Sequence, residues 1–302
     1  MNPASPQQYG VFACAHCDKV VKHQLIHVLR IGRVYQCSQC NLVSLRDNRN
    51  SFVTCNYDYS YYTNGNDFCG YKDYFHDVKL RSATAQAILS SILQLNPSVR
   101  SILDIGCGMG YFVKEATMKG LCCFGVDTSC CAISHAKEYA ETEHLYLTLD
   151  EFPQSGFDVL TLIDVIEHIA DPIPFLTTAM EKLSDNGMVL AITPSISGWM
   201  YNSQRINYQQ FKIDHVHYYT QDTLKMIMQK SGVYSMKTLS MLEFLQLPNK
   251  PIETDVHNKY AYKRDHMVLI GRKSNSSILS DSSRRPDQDN IGDVYDSIKH
   301  VY

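Results

Sequence analysis

Residues 102–110 read ILDIGCGMG, a short apolar run that breaks into glycine at every second position: Gly106, Gly108 and Gly110. An apolar run of this length reads as a buried strand, and glycines directly after it read as a tight turn. The following YFVKEATMKG (111–120) has helical spacing and a glycine stop, and LCCFGVD (121–127) is again strand-like. Together they predict the first strand-helix-strand unit of a parallel sheet. The glycines are GxGxG, not the GxGxxG of a dinucleotide fold, and no Lys-Ser/Thr pair follows as a triphosphate-binding loop requires. Asp104, two residues ahead of Gly106, argues against a phosphate here and for a ligand that brings positive charge. The missing side chains let that ligand lie directly on the backbone.

The same alternation extends in both directions. DVKLRSATAQAILSSILQL (77–95) places Leu80, Ala83, Ala87, Ile88 and Ile92 at helical spacing. After residue 127 come a helix in TSCCAISHAKEYAETE, strands in HLYLTL and FDVLTLID, a helix in IPFLTTAMEKL and the strand GMVLAITP. TQDTLKMIMQKSG is an amphipathic helix capped by Thr220 or Asp222, and YSMKTLSML and DHMVLIGRK supply the last strands. The expected fold is α/β: a seven-stranded, mostly parallel, Rossmann-like sheet with helices on both faces.

Asp127 ends the second strand, 17 residues beyond Gly110, where a carboxylate can accept both hydroxyls of a ribose. A ribose together with a cation describes S-adenosylmethionine. ILDIGCGMG, GVD, FDVLTLIDVIEHIADP and GMVLAITP resemble, in order, the motifs of class I S-adenosylmethionine-dependent methyltransferases over residues 100–195. The resemblance implies that Asp104, Gly106, Gly108 and Gly110 wrap the methionine part of the cofactor and that Asp127 takes the ribose. It implies that Asp164 and Val165 border the sulfonium and that Asp150 or Glu151 meets the adenine amine. Glu167 and His168 are read as shaping the cofactor pocket.

CAHC (14–17) and CSQC (37–40) form CxxC-x19-CxxC, the spacing of two knuckles that can close four thiolates around a tetrahedral zinc ion. Cys14, Cys17, Cys37 and Cys40 are therefore expected to hold a structural Zn2+ in a zinc ribbon, with His16 superfluous. A ribbon, then six tyrosines between residues 57 and 74, then this core resembles a narrower group of zinc-binding methyltransferases that includes deoxysugar C-methyltransferases. The tyrosines are either a packed connector or a partial lining of the substrate site.

That group carries a Glu-His followed by aromatic residues after its fifth strand, and DHVHYYT (214–220) is similar. His215 is expected to be the general base and Asp214 the group that orients or charges it; a structural role in packing the lid is the alternative. A neutral imidazole suits proton removal near pH 7. His217 shares a face with His215 in an extended segment but has no third ligand nearby, and reads as packing.

A formal net charge of −3 over 302 residues gives no broad basic field, so nucleic acid is an unfavoured partner and a small-molecule methyl acceptor the expected one. An RNA-modifying enzyme docking through Lys19, Lys22, Arg30 and Arg33, and a cofactor-binding module without turnover, are the rival readings. The start MNPASPQQYG lacks the features of a secretory signal, and no apolar run approaches the roughly 20 residues that span a bilayer. A soluble cytoplasmic protein is expected. The remaining cysteines, Cys55, Cys69, Cys107, Cys122, Cys123, Cys130 and Cys131, read as small buried hydrophobes. The expected organisation is a disordered lead (1–10), the ribbon (11–50), a tyrosine-rich linker (51–76), the methyltransferase domain (77–273) and a disordered tail (274–302).

Overall fold

A computed structural model describes residues 8–247 apart from 54, 67, 75, 151 and 153, and residues 265–273. The tail expected over 274–302 and the adenine candidate Glu151 lie outside the described residues. The chain opens with four antiparallel strands, β1 (Tyr9–Cys14), β2 (Lys19–Leu29), β3 (Gly32–Cys37) and β4 (Val43–Arg46). Tyr9 and Gly10, expected in an unstructured lead, belong to β1, because their partners Gln24 and His23 on β2 extend the ladder that far. A short helix, α1 (Tyr59–Thr63), carries the middle of the tyrosine-rich stretch and is capped by the Asp58 carboxylate.

The core follows as α2 (Val78–Leu95), β5 (Ser101–Ile105), α3 (Tyr111–Met118), β6 (Cys122–Val126), α4 (Cys130–Ala140), β7 (Leu145–Tyr146) and β8 (Phe157–Ile163). It continues with α5 (Pro172–Glu181), β9 (Leu183–Pro194), α6 (Trp199–Gln204), β10 (His217–Tyr218), α7 (Gln221–Lys230), β11 (Val233–Ser240), α8 (Met241–Gln246) and β12 (His266–Lys273). Seven of these strands form one sheet in the order β11-β12-β9-β8-β5-β6-β7, in which β12 alone runs antiparallel to its neighbours β11 and β9 and the other six strands point the same way. This is the α/β architecture the strand-helix alternation predicts. β5 alternates across the sheet: Leu103 and Ile105 pack with α5 and α7, and Ile102 packs with α2, α3 and α4. Fully burying each such aliphatic side chain contributes about 1.5–3 kcal/mol.

Some local expectations change. The strand expected over HLYLTL pairs only at Leu145 and Tyr146, and Met241 and Leu242, expected in a strand, start α8 behind a Ser240–Glu243 capping box. Thr220, not Asp222, caps α7. On α2 the buried stripe is Ala85, Ile88, Leu89 and Ile92, so of the five expected positions only Ile88 and Ile92 are fully buried. Leu80 instead lines the large cavity, because the start of α2 runs past the sheet edge. Of the scattered cysteines, Cys107 and Cys123 are buried as expected; Cys122 and Cys130, at element starts, are exposed. Cys55 and Cys69, expected as free buried thiols, are instead joined as a disulfide, Cys55 ahead of α1 and Cys69 in the bend after it.

The two-residue strand β10 does not join the large sheet. It pairs with β4, so the N-terminal sheet has the order β1-β2-β3-β4-β10. The core is also continuous across the expected boundary: Cys14, Val21, Cys37, Cys40 and Leu42 cluster with side chains of α5 and α7. Among the described residues, no helix is long and apolar enough to cross a membrane.

Gly110 caps α3 at φ +79°, and a Cβ there would lie 2.9 Å from the Cβ of Ala136 on α4. Gly110→Ala is expected to leave the far-ultraviolet dichroism unchanged and to lower the unfolding free energy by roughly 1–3 kcal/mol, read from urea denaturation.

Candidate active site

The chain runs outward from β5 through β6 to β7, then returns to the other side of β5 as β8. The order therefore reverses at β5/β8, and the carboxyl ends of those strands leave a crevice there, as in other open α/β sheets. Two turns close on each other at its floor. Gly106 (φ +74°) accepts no other residue, because a Cβ would sit 2.3 Å from Cγ2 of Val165 in the turn after β8. The amides of Gly106 and Cys107 donate to the Val126 carbonyl, which fixes the turn against β6.

Asp127 is held by the amides of Gly108 (2.9 Å) and Ser129 (2.8 Å), each on a different carboxylate oxygen. Each oxygen keeps further acceptor capacity for a pair of ligand hydroxyls. Asp104 is buried and accepts the Thr161 hydroxyl at 2.6 Å. Burial, reinforced by the nearby Asp127 and opposed by the Thr161 hydrogen bond, pushes the Asp104 carboxyl up to about 7. Asp127 is likewise raised by burial, against its two amide hydrogen bonds and the His168 charge. Two buried carboxylates beside a glycine cradle are under-compensated by the protein and suited to a cationic ligand. Asp150 lines the same crevice from an exposed position. Asp164, in the left-handed region at φ +56°, places its carboxylate 3.0 Å from Nε2 of His266 on β12.

The crevice opens into a cavity of about 1110 Å³ whose other wall is aromatic and imidazole-rich. Tyr57, Tyr61, Tyr62, Tyr71 and Tyr74 all line it. The hydroxyl of Tyr74 overhangs Gly108, and the Tyr57 carbonyl is strapped to α4 by the Ser129 hydroxyl. Burial raises the Tyr57 and Tyr61 hydroxyls above their ordinary range, which keeps them protonated as donors. The stretch crosses from the N-terminal sheet to α2 and faces the cavity as it does so.

Asp214 and His215 stand on that wall, but not as a hydrogen-bonded pair. The Tyr61 hydroxyl donates to Oδ2 of Asp214 at 2.7 Å, and His168 Nδ1 lies 3.6 Å from the same oxygen and 2.8 Å from the Asp214 carbonyl. Burial opposes ionisation of Asp214, but His168, His215 and the Tyr61 hydroxyl outweigh it and hold the carboxyl below its usual range. His215 is buried edge-on against His168, with ring centroids 4.7 Å apart. Burial, then the His168 charge, pushes its pKa down to about 3 against the pull of Asp214, so the ring is neutral at physiological pH. His217 points away, with Nε2 on the Ala170 carbonyl (3.0 Å) and its ring on Phe52.

Sequence reasoning gave Glu167 and His168 only a shaping role, and it passed over His266, Arg81 and Lys212, which also line the cavity. His168 could have been found from its Glu-His signature. His266 had no signal, since it reaches the site only because β12 lies beside β9.

A Rossmann-like sheet with a glycine cradle, an acidic residue ending the next strand and a large cavity above them is the architecture of a methyltransferase domain. The sequence profile of the methyltransferase domain family matches residues 74–235, and the chain belongs to that family. Among curated relatives, the ubiquinone biosynthesis O-methyltransferase of Rhodopseudomonas palustris (strain HaA2) is 34% identical over 98 residues, covering 30% of this chain and 39% of the relative. The mitochondrial ubiquinone biosynthesis O-methyltransferase of Schizosaccharomyces pombe is 34% identical over 108 residues, covering 32% and 39%. The chain thus matches well under half the length of either. A crystal structure of an S-adenosylmethionine-dependent methyltransferase from Archaeoglobus fulgidus superposes with a TM-score of 0.48 at 18% identity, over 66% of this chain and 99% of that one.

The raised Asp104 carboxyl has a consequence for stability. Its contribution is fully present below an unfolded carboxylate's pKa of about 3.9 and is lost as pH rises through about 7, where the folded group gives up its proton. Asp104→Asn cannot ionise and keeps a carbonyl for the Thr161 hydroxyl. In thermal denaturation without ligand, the wild-type midpoint is expected to fall relative to the variant between roughly pH 4 and pH 7. Parallel profiles would contradict the assignment.

Proposed function

We propose that the chain transfers the methyl group of S-adenosylmethionine to an oxygen or carbon nucleophile of a small molecule. The observation that carries this is the single cavity lined at one end by Gly106, Gly108, Asp127 and Asp150, and at the other by the tyrosines, His168 and His215. A drug-sized pocket is about 300–1,000 Å³, so this one has room for donor and acceptor together. In this reading Asp104 and the three glycines hold the methionine part, Asp127 the ribose, Asp150 the adenine edge, and Asp164 and Val165 the neighbourhood of the sulfonium.

Displacement at the methyl carbon breaks the carbon–sulfur bond as the bond to the nucleophile forms, and the leaving thioether needs no proton. Alignment of the two reactants supplies most of the rate, up to roughly 7–11 kcal/mol. The acceptor still has to lose a proton, which His215 takes as general base in this proposal. Burial makes His215 a weak base, and the Asp214 charge favours the imidazolium that forms when it takes the proton, so Asp214 acts on it by charge at short range. Tyr57 and Tyr61 add hydroxyl donors on the acceptor side.

Zinc at Cys14, Cys17, Cys37 and Cys40 belongs to the same proposal, as a structural ion. The four sulfurs come within 4.8 Å of one another, with Cys14–Cys40 at 3.5 Å and Cys17–Cys37 at 3.8 Å. Zn–S bonds of about 2.3 Å in a tetrahedron put sulfurs about 3.8 Å apart, so the set fits. Four protein ligands leave no open position for chemistry.

The discriminating experiment incubates zinc-replete protein with methyl-labelled cofactor and either small metabolites or total RNA. Label entering only RNA overturns the acceptor class. His215→Gln is expected to bind cofactor normally while its turnover drops about 10²–10⁴-fold, the usual worth of a general base; turnover at the parental rate removes His215 from the chemistry. Because β10 joins the cysteine sheet two residues from His215, Cys37→Ser is expected to lower kcat far more than it weakens cofactor binding, measured by calorimetry.

A further inference from the structure

Glu167, His168 and His215 bring one ligand atom each to within 4.8 Å of one another. They come from two segments far apart in sequence, the turn after β8 and the approach to β10. The two are clamped together by the Val216 amide, which donates to the Glu167 carbonyl at 2.9 Å. We infer that these three side chains form a second metal site, on the acceptor wall of the cavity, for a divalent first-row transition cation. The inference deepens the proposed function, since it concerns the same cavity, but metal binding can be read without any methyl transfer.

Three features go beyond proximity. The donor set is two imidazoles and one carboxylate, a combination that suits Zn2+, Fe2+, Co2+ or Mn2+ and leaves coordination positions open. Each of two ligands has the outer hydrogen bond that metal ligands ordinarily carry. His168 spends Nδ1 on the Asp214 carbonyl, with the Asp214 carboxylate 3.6 Å away, which leaves Nε2 as the lone pair; Glu167 receives the Thr193 hydroxyl on Oε2 at 2.9 Å. The third ligand, His215, is buried with no hydrogen-bond partner at Nδ1 among the described residues. A buried polar atom without a partner is costly, and a cation satisfies it.

Donor separations in a filled site are about 3–4 Å for bonds near 2.1 Å, so the side chains close slightly on the ion. The charge balance favours this. Seven carboxylate residues line the cavity, Glu167 and Asp214 among them, against one arginine, Arg81, and one lysine, Lys212, among the described residues. The cofactor's sulfonium offsets one of these charges and a divalent cation two more. A cation there would take His215 as a ligand in place of the general-base role, and would itself supply the acidity by which an acceptor hydroxyl at an open position gives its proton to solvent.

The test titrates Co2+ into full-length, zinc-replete protein with neither cofactor nor acceptor present, reading calorimetry and visible absorption. The expected result is one Co2+ per chain, with weak d–d bands and no thiolate-to-metal charge transfer, and affinity reduced at least about tenfold in Glu167→Gln and in His168→Gln. Both variants keep a polar side chain of similar size, and near-ultraviolet dichroism checks their folding. No Co2+ bound beyond the cysteine site, a charge-transfer band on all bound Co2+, or unchanged affinity in folded variants overturns the site. If Co2+ binds as expected and no acceptor is ever methylated, the proposed function fails and the metal site stands.

Discussion

The peptide of Val216 is held from both sides. Its amide donates to the Glu167 carbonyl at the end of the β5/β8 crevice, and its carbonyl accepts from the Leu45 amide on β4. One residue thereby fastens the N-terminal sheet to the floor of the cavity, and the side chains next to it in sequence are Asp214, His215 and His217. Backbone hydrogen bonds in a buried segment cannot be given up without leaving polar groups unsatisfied. The position of the acceptor wall therefore depends on the cysteine sheet being folded. The small sheet is a structural part of the large cavity, not an appendage to it.

The same dependence explains why the site gathers so many groups that are expensive to bury. Asp104, Asp127, Glu167 and Asp214 have little exposure or are strongly desolvated, and the tyrosine hydroxyls are displaced upward by burial. Each alone would destabilise a core. Together they make a pocket of negative potential with fixed hydroxyl donors, which favours a cationic ligand. Tyr61 shows how the parts share partners: one hydroxyl serves the Asp214 carboxylate, and its ring packs edge-on against Tyr57, Tyr62 and Tyr71.

Much of the architecture was legible along the chain because its determinants are local. ILDIGCGMG must turn where it does, since Gly106, Gly108 and Gly110 all have positive φ, and the alternating strands and helices follow from hydrophobic period. The spacing of the four cysteines is local too, one pair at the β1–β2 turn and the other at the β3–β4 turn, joined by the β2–β3 hairpin. The stripe of α2 was misread by about one position because its first turn faces a cavity that no periodicity announces. The pairing of Cys55 with Cys69 likewise depends on where the chain places the two irregular segments that flank α1.

By itself the sequence determined the α/β class, the order of the seven strands along the chain, the glycine cradle with Asp104 and Asp127, and the grouping of Cys14, Cys17, Cys37 and Cys40. These rest on backbone sterics and short-range spacing, which a linear chain expresses directly. Only the tertiary structure decided that Asp214 faces His168 and Tyr61 instead of His215, that β10 belongs to the cysteine sheet, and that His266 reaches Asp164. Those contacts join residues far apart along the chain, 46 positions for His168–Asp214 and 153 for Tyr61–Asp214. Side chains so distant in sequence meet only where the folding of everything between them brings their backbones together, and no local pattern carries that information.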